Sequence, residues 1–148
     1  MRNILACVDF SDVTQRLVDQ ATELATATGA SLTLLHVVMP EEVYPVYDAT
    51  AVAVQSDLQR AIQRSETTLR PWLERASAAG LAVGAEVREG RAVEVILREA
   101  ERNHADLIVI GSHGHGTIHH VIFGSVAEGV IRKATVPVLI VPSRLPSA

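Results

Sequence analysis

Cysteine and aromatic side chains are almost missing from this 148-residue chain. The single cysteine, Cys7, cannot close a disulfide within the chain, which fits a reducing compartment. It stands in an apolar run, where a buried, inert thiol is expected rather than a nucleophile or metal ligand. Aromatics are 3% of the residues and apolar residues 48%, so the core has to be built from Val, Ile, Leu and Ala. Long hydrophobic runs are also lacking. Only Ile4 to Val8 follow Met1-Arg-Asn before Asp9 interrupts, short of the roughly 7–15 apolar residues of an export signal. Nothing approaches the roughly 18–20 residues that cross a bilayer, so no membrane insertion is expected and the cytosol is the default compartment. An excess of basic charge is missing too. The net charge of −4 argues against nucleic-acid binding, which needs a basic face to release counterions.

What is present suits one domain, residues 1–148. A chain of this size buries roughly 68–70% of its unfolded surface, enough for a core without staples. Four short runs are apolar and continuous: Ile4–Val8, Leu32–Val38, Leu107–Ile110 and Val136–Val141. Continuous β-branched runs mark strands buried on both faces of a parallel sheet. A weaker run alternates through Leu81, Val83, Ala85 and Val87, as an edge or half-exposed strand does.

Helical spacing fills the gaps. Residues 13–28 place Val13, Leu17, Ala21, Leu24, Ala25 and Thr28 on one face, with Asp12 as N-cap and Gly29 as the stop. Residues 92–103 repeat the pattern with Val93, Ile96, Leu97 and Ala100. Residues 125–134 do so with Val126, Val130 and Ile131. The stretch 50–79 is helical in composition, and Pro71 either kinks it or opens a second helix. Segment 39–49 reads as a loop. The alternation predicts a three-layer, doubly wound α/β fold with right-handed crossovers. Ligands bind such sheets beyond the carboxyl ends of the strands, where the order reverses. Asp9 follows the first strand and Gly111 follows the strand Leu107–Ile110, fourth in chain order, so adjacency of those strands would set both at one crevice.

The segment from Gly111 to Ser125 carries glycines at 111, 114, 116 and 124 between a strand end and a helix start. Glycines let backbone N–H groups approach a phosphate, and a helix N-terminus presents free donors and a positive dipole. Ser125 adds a hydroxyl or a cap. The P-loop pattern fails because no lysine follows the glycines, and G-x-G-x-x-G fails because its third glycine would fall at His119. A reading in which the glycines only permit turns stays open.

The spacing Gly111-x2-Gly114-x9-Gly124-Ser125 resembles the nucleotide-binding signature of the universal stress protein family. Ile4-Leu-Ala-Cys-Val-Asp9-Phe-Ser11 is similar to that family's first strand, Leu34-Leu-His-Val37-Val to its second and Pro137-Val-Leu-Ile-Val141 to its last. The resemblance implies a five-stranded parallel sheet of order 3-2-1-4-5 with helices on both faces, and the ATP-binding branch of the family. It implies that Asp9 meets the ribose side and the Val37 backbone the adenine edge. Cys7, Val8 and Ile110 would line the base pocket. Gly111 and Gly114 would meet ribose and inner phosphates, and Gly124, Ser125 and Val126 the terminal phosphates. A helix-capping role for Asp9 is the alternative. Where relatives often carry Arg or Lys after the second glycine, this chain has His115. His113, His115, His119, His120 or a phosphate-bound Mg²⁺ or Mn²⁺ must then balance ATP, ADP or AMP. ATP affinity is therefore expected to rise as pH falls through the imidazole range near about 6.5.

No dedicated metal site is expected, because His-x-His and His-His lack converging partners. His36 is expected as a core histidine. No catalytic residue is assigned, since neither a nucleophile elbow nor a carboxylate pair is evident; slow ATP hydrolysis is the most the segment suggests. The last strand, apolar with Pro137 near its start, suits a sheet edge that pairs with a second copy in a homodimer. The expected function is thus a nucleotide-dependent regulatory homodimer acting on an unknown protein partner in stress adaptation. The competing readings are an adenine-nucleotide-processing enzyme of related fold and a ligand-free structural dimer.

Overall fold

The apolar runs become strands and the periodic stretches become helices. The chain order is β1 (Asn3–Cys7), α1 (Thr14–Thr28), β2 (Ser31–Val38), α2 (Ala51–Ser77), β3 (Val83–Glu89), α3 (Ala92–Arg102), β4 (Leu107–Gly111), α4 (Ser125–Lys133) and β5 (Val138–Val141). This computed structural model describes residues 1–40, 51–113 and 123–143, the side chains of 51–54 excepted. All pairings are parallel and the strands lie in the order β3-β2-β1-β4-β5, as the resemblance implied.

Continuous runs sit in the middle of the sheet because both faces there are covered. Ile4, Ala6, Val8, Leu34 and Val109 pack under α1 and α2, while Leu5, Cys7, Leu35, Ile108 and Ile110 pack under α3 and α4. Two aliphatic cores, one on each face, make the three layers. Each fully buried Leu, Ile or Val stabilises by about 1.5–3 kcal/mol relative to exposure, which is how a core nearly free of aromatics holds. The alternating run becomes β3, which is an edge strand as expected.

Helix boundaries follow the local chemistry with instructive exceptions. Gly29 ends α1 in the left-handed conformation, φ 67°, its N–H donating to the Ala25 carbonyl. Asp12 does not cap α1: Val13 holds the N-cap position and no side chain bonds there. The turn before the helix is instead claimed by Asp9, whose Oδ1 accepts the Ser11 N–H at 3.0 Å. Asp12 is left exposed, and so is Thr28, while Val18 joins the buried face. On α4 Val130 is buried and Val126 packs against the core as expected, but Ala127 takes the third inward position and Ile131 is 42% exposed. α2 runs through Pro71 as one helix, which removes the alternative of a second helix starting there. Leu69 and Ala76, buried on either side of the proline, seat it on the core despite the missing N–H. Of the expected 39–49 loop, residues 41–50 lie outside the described residues.

Candidate functional site

β1 and β4 are neighbours, with Cys7 opposite Ile110. Asp9 and Gly111 therefore leave adjacent strand ends. From there the chain departs in opposite directions, α1 packing on one face and α4 on the other. This is the switch point at which doubly wound sheets open a crevice.

On the Asp9 side the backbone is tightly held. Val8 donates to the Leu35 carbonyl at 2.8 Å, continuing the sheet one residue past β1. Phe10 has φ 61°, a left-handed conformation costly for an aromatic residue, and its ring stacks on His36 with centroids 4.2 Å apart. His36 Nδ1 lies 2.8 Å from the Val8 carbonyl, which can only accept, so the ring proton is on Nδ1. His36 is half-buried and braces the turn that presents Asp9. Nearby, the hydroxyls of Ser11 and Thr14 are buried with no hydrogen-bond partner among the described residues.

Val37 is exposed in a second sense. Leu35 directs its carbonyl to Val8, whereas Val38 directs its own to Gly90 on the β3 side. Alternation along a parallel ladder then turns the Val37 N–H and C=O towards β1, beyond the residue where β1 ends. This leaves a donor and an acceptor side by side on that edge.

On the other side Gly111 closes β4. A Cβ at this position would lie 2.8 Å from Val13 Cγ1, so packing against the start of α1 demands glycine whatever the crevice holds. Ser112 follows, buried, and its carbonyl accepts the Gly124 N–H at 2.7 Å. The two ends of the glycine segment therefore meet at a neck. Gly124 is extended and serves as N-cap of α4, and among the described residues no side chain caps this helix end. Its first-turn N–H groups have no partner within the helix, and the dipole there favours an anion. Ser125 is exposed at this end and Val126 is half-buried.

Several residues singled out from the sequence come together. Cys7 and Ile110 share one cluster with the partly buried Val37 and Val126 on the α3/α4 face. Val8 does not join them, because its side chain is buried in the opposite core. Burial pushes the Cys7 thiol up to about 12, which keeps it protonated and unreactive at neutral pH. His113 is half-buried, with Nδ1 3.1 Å from Ser112 Oγ. Gly114 and His115, like Gly116, His119 and His120, lie outside the described residues.

Sequence reasoning missed two features. One is Ser112, read only as a spacer between glycines. The other is a groove of about 450 Å³ between α3 and α4, lined by Met39, Arg91, Val93, Ser125, Val126 and Lys133 among others. Ser125, Gly129 and Lys133 line it at four-residue spacing, a signal that was available in the sequence. Arg91 and Lys133 are cations lining this groove, Lys133 at the far end of α4 from Ser125, whereas only histidines had been considered.

A doubly wound α/β domain with a donor-lined crevice at its switch point is the class that fold and site define. The model of the universal stress protein family matches residues 1–142, and the chain belongs to that family. It is 33% identical to a Thermus aquaticus universal stress protein over 141 residues, covering 95% of this chain and 98% of that one. Among solved structures it is similar to the protein MJ0577 of Methanocaldococcus jannaschii, with a TM-score of 0.88, 26% identity and coverage of 99% and 98%. It is also similar to a universal stress protein solved in complex with cAMP, with a TM-score of 0.69, 28% identity and coverage of 97% and 98%. No described helix is long and apolar enough to cross a membrane.

Proposed function

We propose that this chain is an ATP-binding universal stress protein, one nucleotide domain that works as a regulatory homodimer in the cytosol. The observation that carries the reading is the β1–β4 switch point, where the segments after β1 and β4 leave adjacent strand ends and the Val37 backbone turns to the space beyond β1; the reading sets Asp9, that backbone and the start of α4 around one ligand. Those three groups suit the parts of an adenine nucleotide. The Val37 N–H and C=O match the hydrogen-bonding edge of adenine, and Asp9 can accept from ribose hydroxyls. The N–H groups of the α4 start, with the Ser125 hydroxyl, suit phosphate oxygens. His113, Arg91 and Lys133 would balance the charge. Mg²⁺ or Mn²⁺ would arrive on the phosphates rather than in a cage of side chains. The relative solved with cAMP supports an adenine ligand. In this reading the role is a switch that alters a surface for a protein partner, with ATP turnover as the competing outcome.

Mass spectrometry of the purified protein, with a 260 nm absorbance check, should find a bound adenine nucleotide. Titration with ATP, AMP and cAMP then ranks the occupants. Gly114→Val should abolish binding while the dimer stays folded, because a branched side chain would occupy the phosphate approach. Wild-type protein that is nucleotide-free and silent in all three titrations would leave the ligand-free dimer as the better reading. Steady ATP turnover would favour the enzyme.

A further inference from the structure

Three separate segments of the chain converge on Ser112, which is 6% exposed. Its N–H donates to the Val141 carbonyl at 2.8 Å, and its carbonyl accepts the Gly124 N–H at 2.7 Å. Its hydroxyl accepts the Ser143 N–H at 3.1 Å and is hydrogen-bonded with His113 Nδ1, also at 3.1 Å. Each polar group of this residue is thus engaged, and each partner lies on a functionally different piece of the molecule. Gly124 is the N-cap of α4, and His113 opens the glycine segment. Val141 and Ser143 belong to the edge strand and its exit. Arg16 of α1 reinforces that exit by donating to the Pro142 carbonyl at 2.6 Å.

A serine that only filled space would not need this arrangement. β5 is 4 residues long, so its carboxyl end depends on what holds Val141 and the residues after it. The residue that holds them is the same one that closes the neck. The geometry points to Ser112 as a positioning residue that couples the crevice to the β5 edge. A ligand that restrains Gly124 and His113 restrains Val141 and Ser143 through one buried residue with no slack. This inference rests on the nucleotide reading above for the identity of the ligand. It supplies the route by which occupancy would reach a surface at the sheet edge. Because such coupling is reciprocal, a change at Ser143 must also be felt in the crevice.

Residue-resolved amide exchange and nucleotide titration test this with two variants. Ser112→Ala removes the hydroxyl and keeps both backbone bonds. Ser143→Pro removes the N–H that the hydroxyl accepts and touches nothing in the crevice. In wild type, saturating ATP should slow exchange of the Ser143 amide by about tenfold. In Ser112→Ala that transfer should vanish, and ATP affinity should fall by about five- to tenfold. In Ser143→Pro, ATP affinity should fall by about threefold or more although no crevice group has changed. Unchanged ATP affinity in Ser143→Pro, together with intact transfer in Ser112→Ala, would overturn the coupling. If wild type binds no ATP, the nucleotide reading fails, and the free protein decides the coupling. Ser112→Ala should then still speed exchange at Gly124, whose own bond to the Ser112 carbonyl is untouched, and unaltered Gly124 exchange would overturn it.

Discussion

The two edges of the sheet are built on opposite plans. β3 is 7 residues long and carries Glu86, Arg88 and Glu89. Arg88 bonds Glu86 at 2.9 Å and reaches Glu99 of α3 at 3.6 Å. Glu99 is a buried carboxylate that also meets Arg98 and Arg102. Charges along an edge and ion pairs that bind it to a helix discourage another strand from adding there. β5 has 4 residues, Val138-Leu-Ile-Val141, with no charge at all. Pro137 and Val141 direct their carbonyls to β4. Alternation along the ladder then turns the N–H and C=O of Val138 and Ile140 outward. One edge is closed by chemistry, and the other carries outward backbone groups to which the proposed homodimer would pair. The difference teaches where a partner strand can be accepted, something neither strand's hydrophobicity shows alone.

The contrast can be broken most severely at Ile140. Ile140→Pro removes an outward N–H and keeps the bonds to β4. It should weaken self-association by roughly a hundredfold, about 2.7 kcal/mol, in sedimentation at several concentrations. Ala85→Pro, equally outward-facing on β3, should leave the association unchanged. Loss of the dimer in both variants would erase the distinction between the edges. Glu99→Gln attacks the closed edge. Without the buried carboxylate three guanidinium groups lose a shared partner, and chemical denaturation should show about 2 kcal/mol of lost stability, discounted because Arg98 and Arg102 are largely exposed. Self-association of that variant should not change.

The smallest effect belongs to the central seam, which serves as the neutral reference between the edges. The Asp106 carboxyl accepts the backbone N–H of Arg2 at 2.5 Å and of Asn3 at 3.0 Å, and these bonds hold it below the usual carboxylate range. A carboxyl whose folded value is depressed adds stability above the unfolded value of about 3.9 and loses it as pH falls through the folded one. The Tm difference between wild type and Asp106→Asn should therefore be present at pH 7 and shrink progressively as the solution is taken into acid below the unfolded value of about 3.9. A gap that persists into strong acid would contradict this origin.

Much of this was legible before any coordinates. The runs Ile4–Val8 and Leu107–Ile110 announce doubly covered strands because burial on both faces removes alternation. Gly29 announces a helix end because few other residues adopt its dihedral. What failed depended on neighbours. Asp12 looked like a cap, but Asp9 takes the turn first. Ile131 looked inward, but Ala127 takes the third inward place on α4 beside Val126 and Val130. His113 and Asp9 were singled out by type and place, whereas Ser112 has no signature, since its four hydrogen bonds go to residues 1 to 31 positions away.

The sequence by itself determined the layers, the strands, the helix stops and a glycine segment lying between a strand end and a helix start. These follow from local periodicity and backbone preference, which act over a few residues. Only the tertiary structure decided that Gly111 packs against Val13, that Val37 lies past the end of β1 while still paired with β3, and that Ser112 bonds residues on both sides of the neck. Those are facts about which segments meet, and contact between distant segments is set by the packing of both cores together.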